Sequence, residues 1–467
     1  MGIVQRQGTW NTLITYIGMA ISMLNAIMLY PNILGKDELG LVKLLPYIAL
    51  IYVQVATLGI QATSLHYFPY VDDLKRGHHG FLRLLFGISL VAFVVATGIY
   101  FLLRPLAIFA FVERSAMFVD YYGWAVPLAF FGTIIIVLVT YSTVLLKTVI
   151  ASFVQQLIIP LLNLLAILCL FFEWVDFDGF LMVFIGFNGV ASLIFVVYLV
   201  RIGQWKPGNW SKRFRTKRIV QPMLRKGIWT MLNGLGNFVY QLVDSLMIAS
   251  MISLGAAGVY FTMVPILQFL MAPGRSMFKV LAPLVGQHVK RDEWDEIGKK
   301  YKQAGIVGFT LGGFLFILIC ANLDHLFHAP FLNESFLEGK YVIYLIGFSR
   351  LVTLLLAGSL GGTILVTSRY YKMINWFMLL AIVLAIILNL IFIPRYQLAG
   401  AAMATTLSAI TVNVFVATYI RYRFNIWPVT WRGVVMAGII GVFVVIGVLA
   451  PQLDNWMLDI IVRSIVL

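Results

Sequence analysis

Four ionisable side chains stand inside long apolar runs: Asp244, Arg275, Lys279 and Arg350. Charge at membrane depth is costly and is kept where it is paired or where it functions. The balance here is three cations to one acid. Low-dielectric walls focus the field of such a set, so it attracts anions and repels organic cations. Arg can bond two phosphate oxygens at once and Lys adds a compact charge, so the chemistry expected is phosphate recognition. Arg275 and Lys279 are four residues apart, on a helix face that continues through Gln268 and Ala272. Snorkelling to the nearer interface is the competing reading for both. Pro273 and Gly274, just before Arg275, predict an interruption of this span, and broken helices at membrane depth mainly line cavities. Asp244 and Arg350 lie at matching depths from one side, roughly 12 and 14 Å at ~1.5 Å per residue. They can form a structural ion pair, bind ligand directly, or do both in turn when an anion arrives. Asp244 is therefore the candidate for gating or ion coupling, by proton or sodium.

Two polar stripes accompany these charges. Asn11, Thr15, Gly18, Ser22 and Asn25 alternate steps of four and three, and Asn233, Asn237, Gln241 and Asp244 do the same. Each set occupies one helical face. Both are expected to line a polar cavity, with interhelical hydrogen bonding as the alternative. The candidate substrate-binding set is thus Arg275, Lys279, Arg350, Asn25, Asn233, Asn237 and Gln241. Little other chemistry is legible. His66, His78, His79, His288, His325 and His328 form no zinc motif, and His325 with His328 reads as surface polarity. Cys169 and Cys320 lie apart in apolar runs, without ligand spacing. No phosphate-binding loop, dinucleotide fingerprint or nucleophile elbow occurs, so no metal and no cofactor is expected.

The elements that must position these residues follow from composition. The chain has 467 residues, 61% hydrophobic and 11% charged, with a mean hydropathy of +0.94. A soluble domain carries about 25% charged residues, so that class is excluded. Apolar stretches of roughly 20 residues recur from end to end, as a helical membrane protein requires and a barrel does not. Spans are expected near 9–33, 41–66, 82–109, 118–146, 149–172, 178–201, 228–252, 256–286, 304–326, 341–368, 373–393, 398–420 and 431–450. The stretch after Asp454 is too short to cross and reads as a partial fourteenth span. Residues 288–303 suit a short helix lying at the interface.

With the N-terminus placed in the cytoplasm, the inner loops hold 24 Lys and Arg and the outer loops only Lys36, Lys43, Arg104, Arg114, Lys340 and Arg395. Positive loops resist translocation, which fixes that orientation. The net charge of +15 then needs no nucleic acid: Trp205, Trp210 and the basic run 212–218 face anionic lipid. Gly8, Trp10, Leu13, Asn25, Met28 and Pro46 recur as Gly227, Trp229, Leu232, Asp244, Met247 and Pro265, and Thr143 and Asn163 recur as Thr363 and Asn389. This repeat predicts an all-α polytopic fold of two pseudo-symmetric six-helix lobes. The boundaries are 1–201 for the N-lobe, 202–226 for a basic cytoplasmic linker, 227–422 for the C-lobe and 423–467 for the extra C-terminal segments. The site is expected between the lobes.

The run Asp244, Met247, Gly255, Gly258, Val259, Tyr260 and Pro265, with Pro283 closing its span, resembles the seventh and eighth spans of the multidrug/oligosaccharidyl-lipid/polysaccharide flippase superfamily. Pro394, Gly400, Ala401, Ala402, Ala404, Thr405 and Ser408 resemble its turn into the twelfth. Extra spans beyond the twelfth are similar to the polysaccharide transporter branch. The resemblance implies a Wzx-like flippase, not an enzyme, in the bacterial inner membrane. It would move an undecaprenyl-pyrophosphate-linked oligosaccharide, an O-antigen or capsular repeat unit, from the cytoplasmic to the periplasmic leaflet by alternating access. Its partners would be that lipid-linked oligosaccharide, membrane lipid and polysaccharide assembly proteins. The alternatives are a peptidoglycan lipid-linked precursor flippase, a cation-coupled drug or metabolite antiporter, and an integral-membrane enzyme of cell-envelope assembly.

Overall fold

A computed structural model describes residues 3–71, 77–205, 219–327, 332, 334–450 and 456–466. The expected linker lies largely outside the described residues, as do Trp210, the run 212–218 and His328. The described chain is helical apart from its turns and connections, because in hydrocarbon every backbone N–H and C=O must find its partner within the segment. The principal helices are α1 (Ile3–Met23), α2 (Lys36–Ala56), α3 (Phe81–Leu102), α4 (Ala125–Val144), α5 (Ile159–Phe171), α6 (Phe177–Arg201), α7 (Val220–Met251), α8 (Leu254–Ile266), α9 (Gln268–Lys290), α10 (Trp294–Ala321), α11 (Lys340–Leu355), α12 (Gly358–Thr367), α13 (Met373–Phe424), α14 (Trp431–Leu449) and α15 (Trp456–Val466).

Among the described residues ten helical segments are individually long and apolar enough to cross a membrane, and a bent pair spanning 335–367 makes an eleventh. That is fewer than the thirteen spans expected, for two physical reasons. At 32 residues α7 has ample length, but its polar stripe lowers its hydropathy. The 52 residues of α13 would extend about 78 Å as one straight helix, against a core of about 30 Å. It instead breaks at Gln397, where φ is 53° and ψ −130°, between Pro394 and Gly400, so one continuous stretch supplies two crossings. Residues 288–303 form no separate interfacial helix: α9 runs to Lys290 and α10 begins at Trp294.

The chain divides into two compact units, Met1–Leu242 and Val243–Leu467. In the first unit a core of Phe81, Leu85, Tyr141 and Phe195 joins α3, α4 and α6. Two π-helical turns, Leu24–Leu29 and Phe153–Ile158, interrupt the first and fifth spans, each followed by a proline, Pro31 and Pro160. Proline has no N–H for the carbonyl four residues back and its ring crowds that carbonyl, which displaces the ladder. The freed Gln156 carbonyl lies against Gly18, where a Cβ would come within 1.6 Å of its oxygen. Only glycine permits this approach of α1 to the fifth span.

In the second unit α10 packs against α9, α11 and α14. The short α15 is fixed by charge. Arg463 donates to the carbonyls of Ala321 and Gly447 at 2.9 and 3.0 Å and of Ala450 at 2.8 Å. These are the last carbonyls of α10 and α14, which lack intrahelical donors and carry the negative end of each dipole. Asp459 balances the guanidinium at 2.7 Å and takes the ring nitrogen of His325 at 2.5 Å. His325 is therefore not surface polarity. It is 8% exposed and Asp459 1%, and the spacing of 134 residues hid their pairing.

Removing one member of a buried ion pair costs about 3–5 kcal/mol, because the survivor stays charged and unpaired. Asp459→Ala should lower the thermal midpoint of the detergent-solubilised protein by several degrees and expose the C-terminal helix to protease. An unchanged midpoint with unchanged protection would show that the clamp does not hold α15.

Candidate functional site

Asp244 lies in the C-terminal half of α7, 6% exposed, and its carboxylate is held by neutral partners. Asn389 of α13 donates its amide to Oδ1 at 2.6 Å. The Thr405 hydroxyl donates to Oδ2 at 2.8 Å. Tyr260 of α8 lies 3.1 Å from the Thr405 oxygen and 3.4 Å from Oδ2. Tyr260 thus touches both the Thr405 hydroxyl and the carboxylate, to which it donates over the longer distance. Asn389 is fully buried, and its side-chain oxygen has no hydrogen-bond partner among the described residues. The Asp244 carboxylate is thus surrounded by one side-chain amide and two hydroxyls, all neutral. Among the described residues there is no group of three His, Cys, Asp or Glu able to hold a metal.

The second unit also carries the cations. Arg275 and Lys279 are exposed on α9, and Arg350 of α11 is half-buried. The Arg275 guanidinium donates to the Gln268 side-chain oxygen one face-repeat earlier. Arg350 is within electrostatic reach of both Arg275 and Asp244. It forms no direct ion pair with Asp244, whose oxygens are occupied by Asn389, Thr405 and Tyr260. Among the described residues no carboxylate pairs with Arg275, Lys279 or Arg350. Among the described residues these three therefore carry positive charge without an acidic partner.

The helix bearing them is not interrupted where the sequence suggested. Gln268–Lys290 is one helix containing Pro273 and Pro283, and the break in this span falls at Leu267, between α8 and α9. Gly274 instead serves packing: a Cβ there would lie 2.7 Å from the Leu354 side chain. This lets α11 approach α9 one residue from Arg275.

The stripe of α7 reaches the surface of the first unit, with Asn233, Asn237 and Gln241 exposed. Asn237 donates to the Asn233 carbonyl at 3.3 Å. The stripe of the first span faces the fifth span. Asn11 donates to Thr148 at 3.2 Å, and Asn25, 4% exposed, donates to the Pro160 carbonyl at 3.0 Å. Asn25 thus serves an interhelical contact within the first unit. Lys43 is half-buried with its ammonium 5.1 Å from the Tyr30 ring, a cation that its place near a span end had disguised. Asn389 and Thr405 were also missed as site residues, although the expected repeat pairs Asn389 with Asn163 and Thr405 ends the small-residue run after Gln397.

The sequence model of the family described as polysaccharide biosynthesis protein matches residues 4–289. No curated protein matches the chain. Among solved structures, a Lipid II flippase MurJ in an inward closed conformation superposes with a TM-score of 0.70 at 13% identity, over 98% of this chain and 96% of that one. A Vibrio cholerae MATE transporter, VcmN in its bent form, gives 0.53 at 14% identity, over 90% and 98%. An outward-facing multidrug resistance MATE family transporter of the MOP superfamily gives 0.57 at 16% identity, over 91% and 96%. At these identities the likeness shows the fold, that of MurJ and MATE transporters.

Hydrogen bonds to an ionised group contribute about 1.5–3 kcal/mol each, weakening with length. The loss of thermal midpoint should therefore rank Asn389→Leu first, Thr405→Val second and Tyr260→Phe last. A Tyr260→Phe loss as large as that of Asn389→Leu would contradict this account of how Asp244 is held.

Proposed function

The chain belongs to the polysaccharide biosynthesis protein family, a multi-pass membrane family with a transporter fold, and on that premise we propose that it is a flippase for an undecaprenyl-pyrophosphate-linked oligosaccharide. The observation that carries the reading is the group Arg275, Lys279 and Arg350, which has no carboxylate partner among the described residues. A diphosphate cannot cross hydrocarbon unaided, whereas its polyprenyl tail need never leave it. Two guanidiniums and an ammonium would replace the water around the diphosphate, and the tail would remain in lipid. Asn233, Asn237 and Gln241 would offer hydrogen bonds to the sugars.

Transport would proceed by alternating access from the cytoplasmic to the periplasmic leaflet, with the N-terminus in the cytoplasm. Asp244 would respond to the coupling ion. Its charge lies within reach of Arg350, so protonating it or placing sodium beside it alters the potential at Arg350. That gives anion affinity a different value before and after ion binding, which is the differential interaction a population shift requires. Asn25 would act through the contact of the first and fifth spans.

A peptidoglycan-precursor flippase is the second reading, favoured by the superposition of 98% of the chain on a Lipid II flippase. Both substrates are lipid-linked sugar diphosphates, so the same cations would serve.

Truncating one partner of a desolvated charge pair costs about 2–5 kcal/mol. Arg275→Gln and Arg350→Gln, at wild-type protein level, should each reduce export at least tenfold. Undiminished export in both would remove them from the mechanism. Complementation separates the readings: restored surface polysaccharide in a strain lacking its oligosaccharide flippase supports the first, and rescue only of a strain depleted of its Lipid II flippase supports the second. Asp244→Asn should abolish dependence on whichever gradient, sodium or proton, drives the wild-type protein; retained dependence would exclude Asp244 from coupling.

A further inference from the structure

A second cationic site lies in the same unit on the strongly basic membrane face, where α9 gives way to α10 and α12 to α13. The cavity has a volume of about 690 Å³, and its walls include Lys290, Arg369 and Arg423 against one acid, Asp292. Its two arginines are held by aromatic rings. The Arg369 guanidinium lies 5.1 Å from the Tyr370 ring and that of Arg423 lies 5.0 Å from the same ring. Arg423 is also 5.8 Å from the ring of Tyr419 and 5.2 Å from that of Tyr422.

A ring face attracts a guanidinium and fixes its plane without cancelling its charge, leaving N–H donors directed outward. Two like charges sharing one ring repel each other. Among the described residues neither is relieved by a carboxylate. Asp292 stands in a left-handed turn, φ 55°, and pairs with neither arginine. A solvated basic face would scatter its cations on flexible stems. Here two of them converge, pre-oriented, on a polar cavity of nucleotide size beside the exposed ring of Tyr422.

We infer that this cavity is an anion site for a phosphate ester, the headgroup of an anionic phospholipid or a soluble organic phosphate, bound by Arg369 and Arg423 with Lys290 as a third charge. The inference does not depend on the transport proposal, since it uses none of the same residues.

The full-length chain is placed in phosphatidylcholine nanodiscs, with or without phosphatidylglycerol, and retained lipid is counted by native mass spectrometry. In a parallel arm, binding of inorganic pyrophosphate to the phosphatidylcholine sample is followed by equilibrium dialysis. Each of Arg369→Gln and Arg423→Gln should lower occupancy about fivefold, the worth of one basic side chain at an anionic surface. Arg201→Gln, in the first unit, should leave it unchanged. Asp292→Asn should raise occupancy, a gain that misfolding cannot mimic. The pattern in phosphatidylglycerol alone identifies a lipid site, and the pattern in pyrophosphate alone a soluble-ligand site. If the double variant Arg369→Gln with Arg423→Gln, and Asp292→Asn as well, match the wild type in both arms, the inference is overturned.

Discussion

Hydrocarbon offers no hydrogen bonds and little screening, so a polar group within it is either satisfied by the protein or held ready for something else. Asp244 and the cations of the second unit divide along that line. The carboxylate receives an amide at 2.6 Å and a hydroxyl at 2.8 Å, so neutral dipoles supply its partners. Spending Arg350 on a direct pair with Asp244 would have stabilised both and removed a cation from the site. Because Asn389 and Thr405 do that work, Arg350 remains in electrostatic contact with Asp244 without being committed to it.

The same constraint shapes the backbone. Pro31 and Pro160 each follow a π-helical turn, and the carbonyls such turns displace must be met from outside the helix. The Gln156 carbonyl lies against Gly18, and Asn25 donates to the Pro160 carbonyl one turn further on. Under the proposed duplication, Asn25 corresponds to Asp244 and Asn163 to Asn389. In the second unit that pair is bonded directly; in the first, Asn25 reaches the same helix less than one turn before Asn163, whose side-chain oxygen has no partner among the described residues. Replacing Asn by Asp at one of two matched positions puts a charge, and with it the capacity to sense an ion, in one unit only.

The legible parts of the sequence were those set by local pattern. Apolar length placed the helices, and the break at Gln397 was anticipated by Pro394 and Gly400 on either side. Asp244 announced itself because charge is so rare in these runs, whereas the buried Asp459 and Arg463 lie in a short segment that did not read as a full span. What could not be read was pairing across sequence distance. Nothing local to His325 points to Asp459, and nothing in a lone Asn at position 389 says that its amide finds residue 244. Proline was over-read as a break at Pro273, because a helix packed on both sides can lose one hydrogen bond and continue. The same reading overlooked Leu267, a residue with no breaking tendency of its own.

The clamp on α15 shows how the ends of a membrane helix can be finished without water. Three carbonyls from two helices converge on one guanidinium, which can reach them all because its donors are fixed in a plane. Such a group is stable there only with a counter-charge, so Asp459 is required by Arg463, and Asp459 in turn takes His325 as a second donor. In this corner the cation is closed on all sides by acid and carbonyl. In the group Arg275, Lys279 and Arg350 no described acid closes it. The contrast lies within a single unit, under one set of solvent conditions, so the open cations are not explained by a shortage of acidic partners in the fold. A chain that neutralises an arginine this fully at one place leaves three cations without a described acidic partner at another, and the proposed anion binding rests on that difference.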